Sequence, residues 1–121
     1  MVKILIIDDE PNIRDLLVAL LSRKGYQVVL SENGAEGLNR FLRERPDVVV
    51  LDLTMPEIDG LTVLREIRSL HPNQPVLILT GTGTPYDEQQ VRALGVTEYV
   101  DKECSLEVFD DALERLLKGR S

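Results

Sequence analysis

Asp8, Asp9 and Glu10 follow the apolar run Val2–Ile7, and Asp52 follows Val48–Leu51. Thr80 comes directly after Val76–Leu79, and Asp101-Lys102 directly after Glu98–Val100. Taken singly, each has an ordinary explanation. An aspartate at a strand end is often a turn former or helix N-cap, a threonine there closes a turn, and a lone lysine is usually solvated. Acid, acid, hydroxyl and ammonium at four strand ends make a different case, because one fold can gather them. Two carboxylates held about 5 Å apart repel by roughly 3 kcal/mol at an effective dielectric of 20. Such a cluster must take up a proton, pair with a lysine or bind a cation. Carboxylates with a backbone carbonyl and waters are the oxygen set that Mg²⁺ prefers. The single histidine, His71, is expected at the far end of the third helix, so a zinc or iron site is not indicated.

The elements that must position these groups are short apolar runs alternating with amphipathic stretches. Val2–Ile7, Gln27–Leu30, Val48–Leu51, Val76–Leu79 and Glu98–Val100 read as strands. The first, third and fourth are almost continuously apolar, as strands covered on both faces should be, and the weaker second and fifth suit edges. Ile13, Leu16, Leu17, Leu20 and Leu21 follow helical spacing, with Pro11 at the start and Gly25 as the stop. Asn33 and Glu36 resemble a capping box opening a second helix with a core face of Ala35, Leu38, Phe41 and Leu42. Leu61, Leu64 and Ile67 mark a third helix. Thr84-Pro85 opens a fourth, which Gly95 ends and whose apolar face, Val91 and Leu94, is thin. Leu106, Phe109, Leu113, Leu116 and Leu117 mark a fifth. Repeated strand–helix units imply right-handed crossovers and a parallel sheet covered by helices on both faces. In such folds the site lies beyond the carboxyl ends of the strands, where strand order reverses.

The bulk numbers narrow the function. A length of 121 residues suits one domain spanning 1–121, and 43% hydrophobic with 29% charged residues is an ordinary globular mix. The net charge of −7 argues against direct nucleic-acid binding, which needs a basic face. The lone Cys104 cannot form an internal disulfide, and no run of about 18 apolar residues is present to span a membrane. A cytoplasmic setting is expected.

Asp8-Asp9 after the first strand, Asp52 within LDLTMPEIDG, Thr80 within LILTG, and Tyr99 three residues before Lys102 together resemble the response-regulator receiver domain. The resemblance covers essentially the whole chain. It implies a doubly wound (βα)5 fold with strand order 2-1-3-4-5. It also implies that Asp52 accepts a phosphoryl group, with Mg²⁺ (or Mn²⁺) held directly by Asp9, Asp52 and the Thr54 backbone carbonyl and through water by Asp8. Lys102 would pair with Asp52 and then with a phosphoryl oxygen, Thr80 would bond another, and Tyr99 would swing inward as Thr80 moves. The implied donor is a histidine kinase or a histidine phosphotransfer protein, docking on the first helix near Asn12, Ile13, Asp15 and Leu16. The implied output face is the fourth helix, fifth strand and fifth helix, which is also a candidate homodimer surface. The downstream target, a protein or an output domain, is not readable.

The chain departs from the family pattern after Lys102, where a proline, often in cis, is usual and Glu103 stands here. A non-proline cis bond costs about 3 kcal/mol, so this loop is expected to be trans or strained. Thr54 and Thr82 occupy positions that in this family influence how fast the phosphoryl group is lost. Three rival readings remain. TGTGT at 80–84 looks like the phosphate loop of a flavin- or nucleotide-binding module, but it follows the fourth strand, and only 3 Tyr and 2 Phe are present to stack on a flavin. Asp52-Leu53-Thr54 resembles part of an aspartyl-phosphate phosphatase loop, but Thr54 cannot be its general acid. A degenerate receiver acting only as a protein-binding platform is the third.

Overall fold

The computed structural model describes residues 1–81 and 83–119. Thr82, singled out above, lies outside the described residues, as do Arg120 and Ser121. The chain alternates β1 (Lys3–Ile7), α1 (Pro11–Arg23), β2 (Gln27–Ser31), α2 (Gly34–Glu44), β3 (Val48–Leu51), α3 (Gly60–Leu70), β4 (Val76–Thr80), α4 (Pro85–Ala93), β5 (Glu98–Asp101) and α5 (Leu106–Gly119). The strands form one parallel sheet in the order β2-β1-β3-β4-β5, with the two weaker strands at its edges.

The near-continuous apolar strands serve two cores at once, because successive side chains point to opposite faces. Ile4, Ile6, Val48, Val50, Leu77 and Leu79 face α1 and α5, where they pack with Leu17, Leu21, Phe109, Ala112 and Leu113. Leu5, Ile7, Val49, Leu51 and Ile78 face the other side and meet Phe41, Val63, Leu64, Ile67 and Val91 of α2, α3 and α4. Three strands run one residue beyond their apolar stretch, taking in Ser31, Thr80 and Asp101. Pairing continues through these polar ends, with Ile7 opposite Ser31 and Thr80 opposite Asp101.

Several helix faces differ from the sequence expectation. Ala35 and Leu42 are exposed, and α2 turns Gly34, Gly37 and Phe41 to the core instead. Gly37 explains the rotation: its backbone lies so close to Ile7 that an added Cβ would stand 2.7 Å from that side chain. The bulk that fills this interface comes from the strand. Leu16 and Leu106 are also exposed, at 44% and 43%, rather than part of the core. At the start of α2 only half of the expected capping box forms. Asn33 accepts from the Glu36 N–H at 2.8 Å, but the Glu36 carboxylate accepts from Glu32 N–H at 3.3 Å. The complete box is on α4, where Thr84 and Asp87 each accept the other's backbone N–H at 3.1 Å.

α4 is held mainly at its C-terminal end. Val91 is its one buried residue. Beyond it, the Arg68 guanidinium of α3 donates to the carbonyls of Leu94 at 2.5 Å and Gln74 at 2.7 Å. Burial pulls the Arg68 pKa below its usual value, yet the group stays charged. Arg68→Ala is expected to leave both carbonyls short of a donor and to cost about 1–3 kcal/mol. Urea denaturation would show the loss, and faster amide exchange confined to residues 91–96 would locate it.

Candidate functional site

The register of the central strands brings the first acids together. Ile7 lies opposite Leu51, so Asp8 and Asp52 leave neighbouring strands side by side. Their backbones are tied in: Asp8 N–H donates to the Ser31 carbonyl at 3.2 Å, and Asp52 N–H to the Ile7 carbonyl at 3.0 Å. Asp8, Asp52 and Thr80 are all buried polar residues, at 2%, 3% and 2% exposure. Burying carboxylates is unfavourable unless they are paired and hydrogen-bonded.

Lys102 supplies the pairing. Its Nζ lies 3.0 Å from Asp8 Oδ2, 3.0 Å from Asp52 Oδ2 and 2.5 Å from Glu10 Oε1. The lysine reaches this position because its own N–H donates to the Thr80 carbonyl at 3.1 Å, continuing the β4–β5 pairing. Backbone donors share the load, with Glu10 N–H on Asp8 Oδ1 at 2.9 Å and Thr54 N–H on Asp52 Oδ1 at 3.2 Å. Burial pushes the Asp8 carboxyl up; the Glu10 N–H and Lys102 pull it down, and the charge on Asp52 pushes it up again. Burial alone would lower Lys102, but its bonds to Glu10, Asp52 and Asp8 outweigh that and raise it well above an ordinary lysine.

The expected acids and lysine are therefore gathered at one cleft, with Glu10 beside them. Asp9, Glu10, Asp52, Thr54, Gly81 and Lys102 line an open cleft of about 230 Å³. The carboxylates with oxygens within 4.8 Å of one another are those of Asp8, Glu10 and Asp52, while Asp9 sits on the cleft wall. Glu10 is the member that sequence reasoning left without a role. No periodicity announced it, because residues 8–10 belong to the turn that leaves β1, where Glu10 N–H folds back onto Asp8. All three donors are hard oxygens, and with waters they fit a divalent cation such as Mg²⁺ better than a softer metal.

Thr80 and Tyr99 stand behind the acids. Thr80 Oγ1 and the Tyr99 hydroxyl are buried and have no hydrogen-bond partner among the described residues. Burial pushes the Tyr99 phenol up, and the charges of Asp87, Glu88 and Asp101 add to it. After Lys102, Glu103 N–H donates to Asp101 Oδ1 at 2.7 Å. A proline at that position has no N–H to give, so Glu103 closes the loop with a bond the usual family residue lacks. Every described peptide bond here is trans.

Comparison with known proteins places this geometry. Residues 4–114 match the family model of the response regulator receiver domain. The transcriptional regulatory protein GlrR of Escherichia coli K12 is 41% identical over 116 residues, which cover 93% of this chain and 26% of that protein. Response regulator MprA of Mycobacterium sp. strain KMS is 37% identical over 120 residues, covering 99% of this chain and 52% of that one. The chain thus spans between about a quarter and a half of the length of these curated relatives. Among solved structures, a receiver domain protein from Clostridium thermocellum superposes with TM-score 0.91 at 32% identity, covering 98% of this chain and 95% of that one. Response regulator TrrA of Thermotoga maritima, solved in complex with Mg²⁺-BeF, gives 0.85 at 35% identity, covering 96% and 99%. The chain belongs to the response regulator receiver family, whose domains are phosphorylation-dependent switches in two-component signalling.

Proposed function

We propose that Asp52 accepts a phosphoryl group from a phosphohistidine of a histidine kinase or phosphotransfer protein, in a reaction that depends on Mg²⁺. The observation that carries this reading is a buried carboxylate, 3% exposed, opening on a polar cleft with a lysine ammonium 3.0 Å away. An Asp52 oxygen attacks phosphorus while the phosphorus–nitrogen bond of the donor breaks, and the imidazole leaves with the electron pair. Because nucleophile and phosphoryl group are both negative, positioning and charge neutralisation supply the catalysis. Mg²⁺, held by Asp52, the Thr54 carbonyl and the acids after β1, would neutralise phosphoryl oxygens when bound. Those acids are Asp8, Asp9 and Glu10, which would hold it directly or through water. The Thr54 N–H keeps one Asp52 oxygen fixed, and Lys102 transfers its bond from Asp52 to a phosphoryl oxygen. TrrA in complex with Mg²⁺-BeF supports the same pairing of metal and phosphoryl-like group here.

The new group then rewards movement of Thr80, whose unpartnered hydroxyl gains an acceptor. Thr80 and Tyr99 move as a pair, shifting the population of the α4–β5–α5 face. A downstream protein, an output domain or a second copy of the chain reads that face. The donor docks beside the cleft on α1, where Ile13 and Leu16 border an apolar groove shared with Cys104, Leu106 and Phe109 of the β5–α5 side. A cytoplasmic setting, with no direct nucleic-acid contact by a domain of net charge −7, belongs to the same reading.

Intact mass after incubation with acetyl phosphate is the test. One phosphoryl group should be added with Mg²⁺, none after chelation, and none to Asp52→Asn under either condition. Equal addition to the Asp52→Asn variant would move the acceptor elsewhere.

A further inference from the structure

Gly81 and Gly83 both lie in the loop between β4 and α4, but they differ in what surrounds them. A Cβ on Gly81 would make only ordinary contact with the Lys102 side chain, at 3.7 and 3.8 Å. A Cβ on Gly83 would stand 1.7 Å from the Tyr99 hydroxyl, 2.9 Å from its Cζ and 2.8 Å from the Thr80 methyl. The backbone conformation itself does not forbid a side chain at 83. Its φ lies outside the left-handed region, and the residue is otherwise exposed, just before the Thr84 cap of α4. The space a side chain would take is filled by the phenol, and the Tyr99 hydroxyl has no hydrogen-bond partner among the described residues that would fix it there. Among the described residues it is packing that holds it.

We infer that Gly83 is a positioning residue, the steric seat that admits the Tyr99 hydroxyl beside Thr80, and that any side chain at 83 drives Tyr99 outward and uncouples it from Thr80. The inference rests on the reading of Thr80 and Tyr99 as the moving pair. The closer collision is with the end of a ring that turns about its own side-chain bonds, so the ring yields first, and the 2.8 Å contact with the Thr80 methyl asks for a smaller shift. The mild substitution Gly83→Ala therefore selects between two tyrosine rotamers. Because Thr80 keeps its hydroxyl, a phosphoryl oxygen still has that donor, but the consequence no longer travels through Tyr99 to β5 and α4. The fold supplies a two-state element, and Gly83 sets the balance between its states.

The experiment compares the whole chain as wild type, Gly83→Ala, Gly81→Ala, Tyr99→Ala and the Gly83→Ala/Tyr99→Ala double variant. Tyr99 ring resonances are read by NMR, and α4 amide exchange is followed with and without Mg²⁺-beryllofluoride. In Gly83→Ala the Tyr99 ring should move to the shifts of a solvent-exposed tyrosine, while Gly81→Ala leaves it in place. The change in α4 exchange produced by beryllofluoride should shrink about threefold or more in Gly83→Ala. In the Tyr99→Ala background, adding Gly83→Ala should leave only the smaller adjustment against the Thr80 methyl, well below its effect on the wild type. An unmoved Tyr99 ring in Gly83→Ala would overturn the inference. So would an undiminished effect of Gly83→Ala without Tyr99, which would place its action in the loop backbone. If beryllofluoride leaves the wild type unchanged, the switching role fails together with the proposed function. Ring displacement in Gly83→Ala alone would still establish the steric seat.

Discussion

Lys102→Ala is expected to cost about 3–5 kcal/mol of folding stability near neutral pH, because it leaves buried carboxylates without their cation. The ammonium is the only cationic partner that the described contacts give to Asp8 and Asp52, both 3% exposed as side chains. Glu10, at 56%, can turn to water, but the other two cannot. The pH dependence identifies the cause. Burial already raises the Asp8 carboxyl above its usual value, and without Lys102 it rises further. A group raised in the folded state favours folding below its unfolded pKa and withdraws that stability as pH climbs through the folded value. The deficit of Lys102→Ala should therefore be small in acid, below the ordinary aspartate range, and grow as pH rises through the raised Asp8 value. Urea denaturation of both proteins across pH measures it. A deficit of equal size at both ends would assign the effect to the lost methylene packing of the lysine stem instead. Mg²⁺ should restore part of the stability, rising with the logarithm of its concentration once that exceeds the dissociation constant.

Asp52→Asn is expected to pull function and stability in opposite directions. It removes the proposed phosphoryl acceptor, and it should stabilise the metal-free fold by about 1–2 kcal/mol. Breaking a buried ion pair is usually destabilising, so the sign needs its reason. Three carboxylates converge on one ammonium here, and removing one leaves Lys102 still paired to Asp8 and Glu10. Asparagine keeps the shape and an oxygen for the Thr54 N–H, which now bonds Asp52 Oδ1 at 3.2 Å. What disappears is the repulsion that helps push Asp8 up. Denaturation midpoints without metal give the answer. A lower midpoint for Asp52→Asn would mean that the Lys102–Asp52 attraction outweighs the crowding of acids. With Mg²⁺ the wild type should close the gap.

Much of this site was legible because the strands announce themselves. Apolar runs of the right length ended in Asp8, Asp52 and Thr80, and the parallel alternation placed those ends on one rim. Lys102 was legible by its place after the fifth run. The relative standing of Asp9 and Glu10 was not, because it depends on how the β1–α1 turn aims each side chain after the strand ends. The α2 face was misread for a related reason. Apolar spacing marked Ala35 and Leu42, but packing density chose Gly34 and Gly37, and an absent side chain leaves no hydrophobic signal. The Tyr99 seat has the same character: an empty Cβ position at Gly83 matters only once a ring from a distant strand is laid over it.

The Arg68 tie to the Leu94 carbonyl makes α4 a lever rather than a sliding rod. Its two anchors, Val91 and that carbonyl, sit at one end, and the Thr84 end adjoins the Thr80 loop. The 9 residues of the helix give an arm of about 13 Å at 1.5 Å per residue. A tilt of about 10° about this pivot would carry the Thr84 end roughly 2 Å while leaving the Leu94 end almost still. Under the proposed switch, a displacement at Thr80 would thus pass almost undiminished to Tyr86, which stands 66% exposed near the free end, and die away toward Val91.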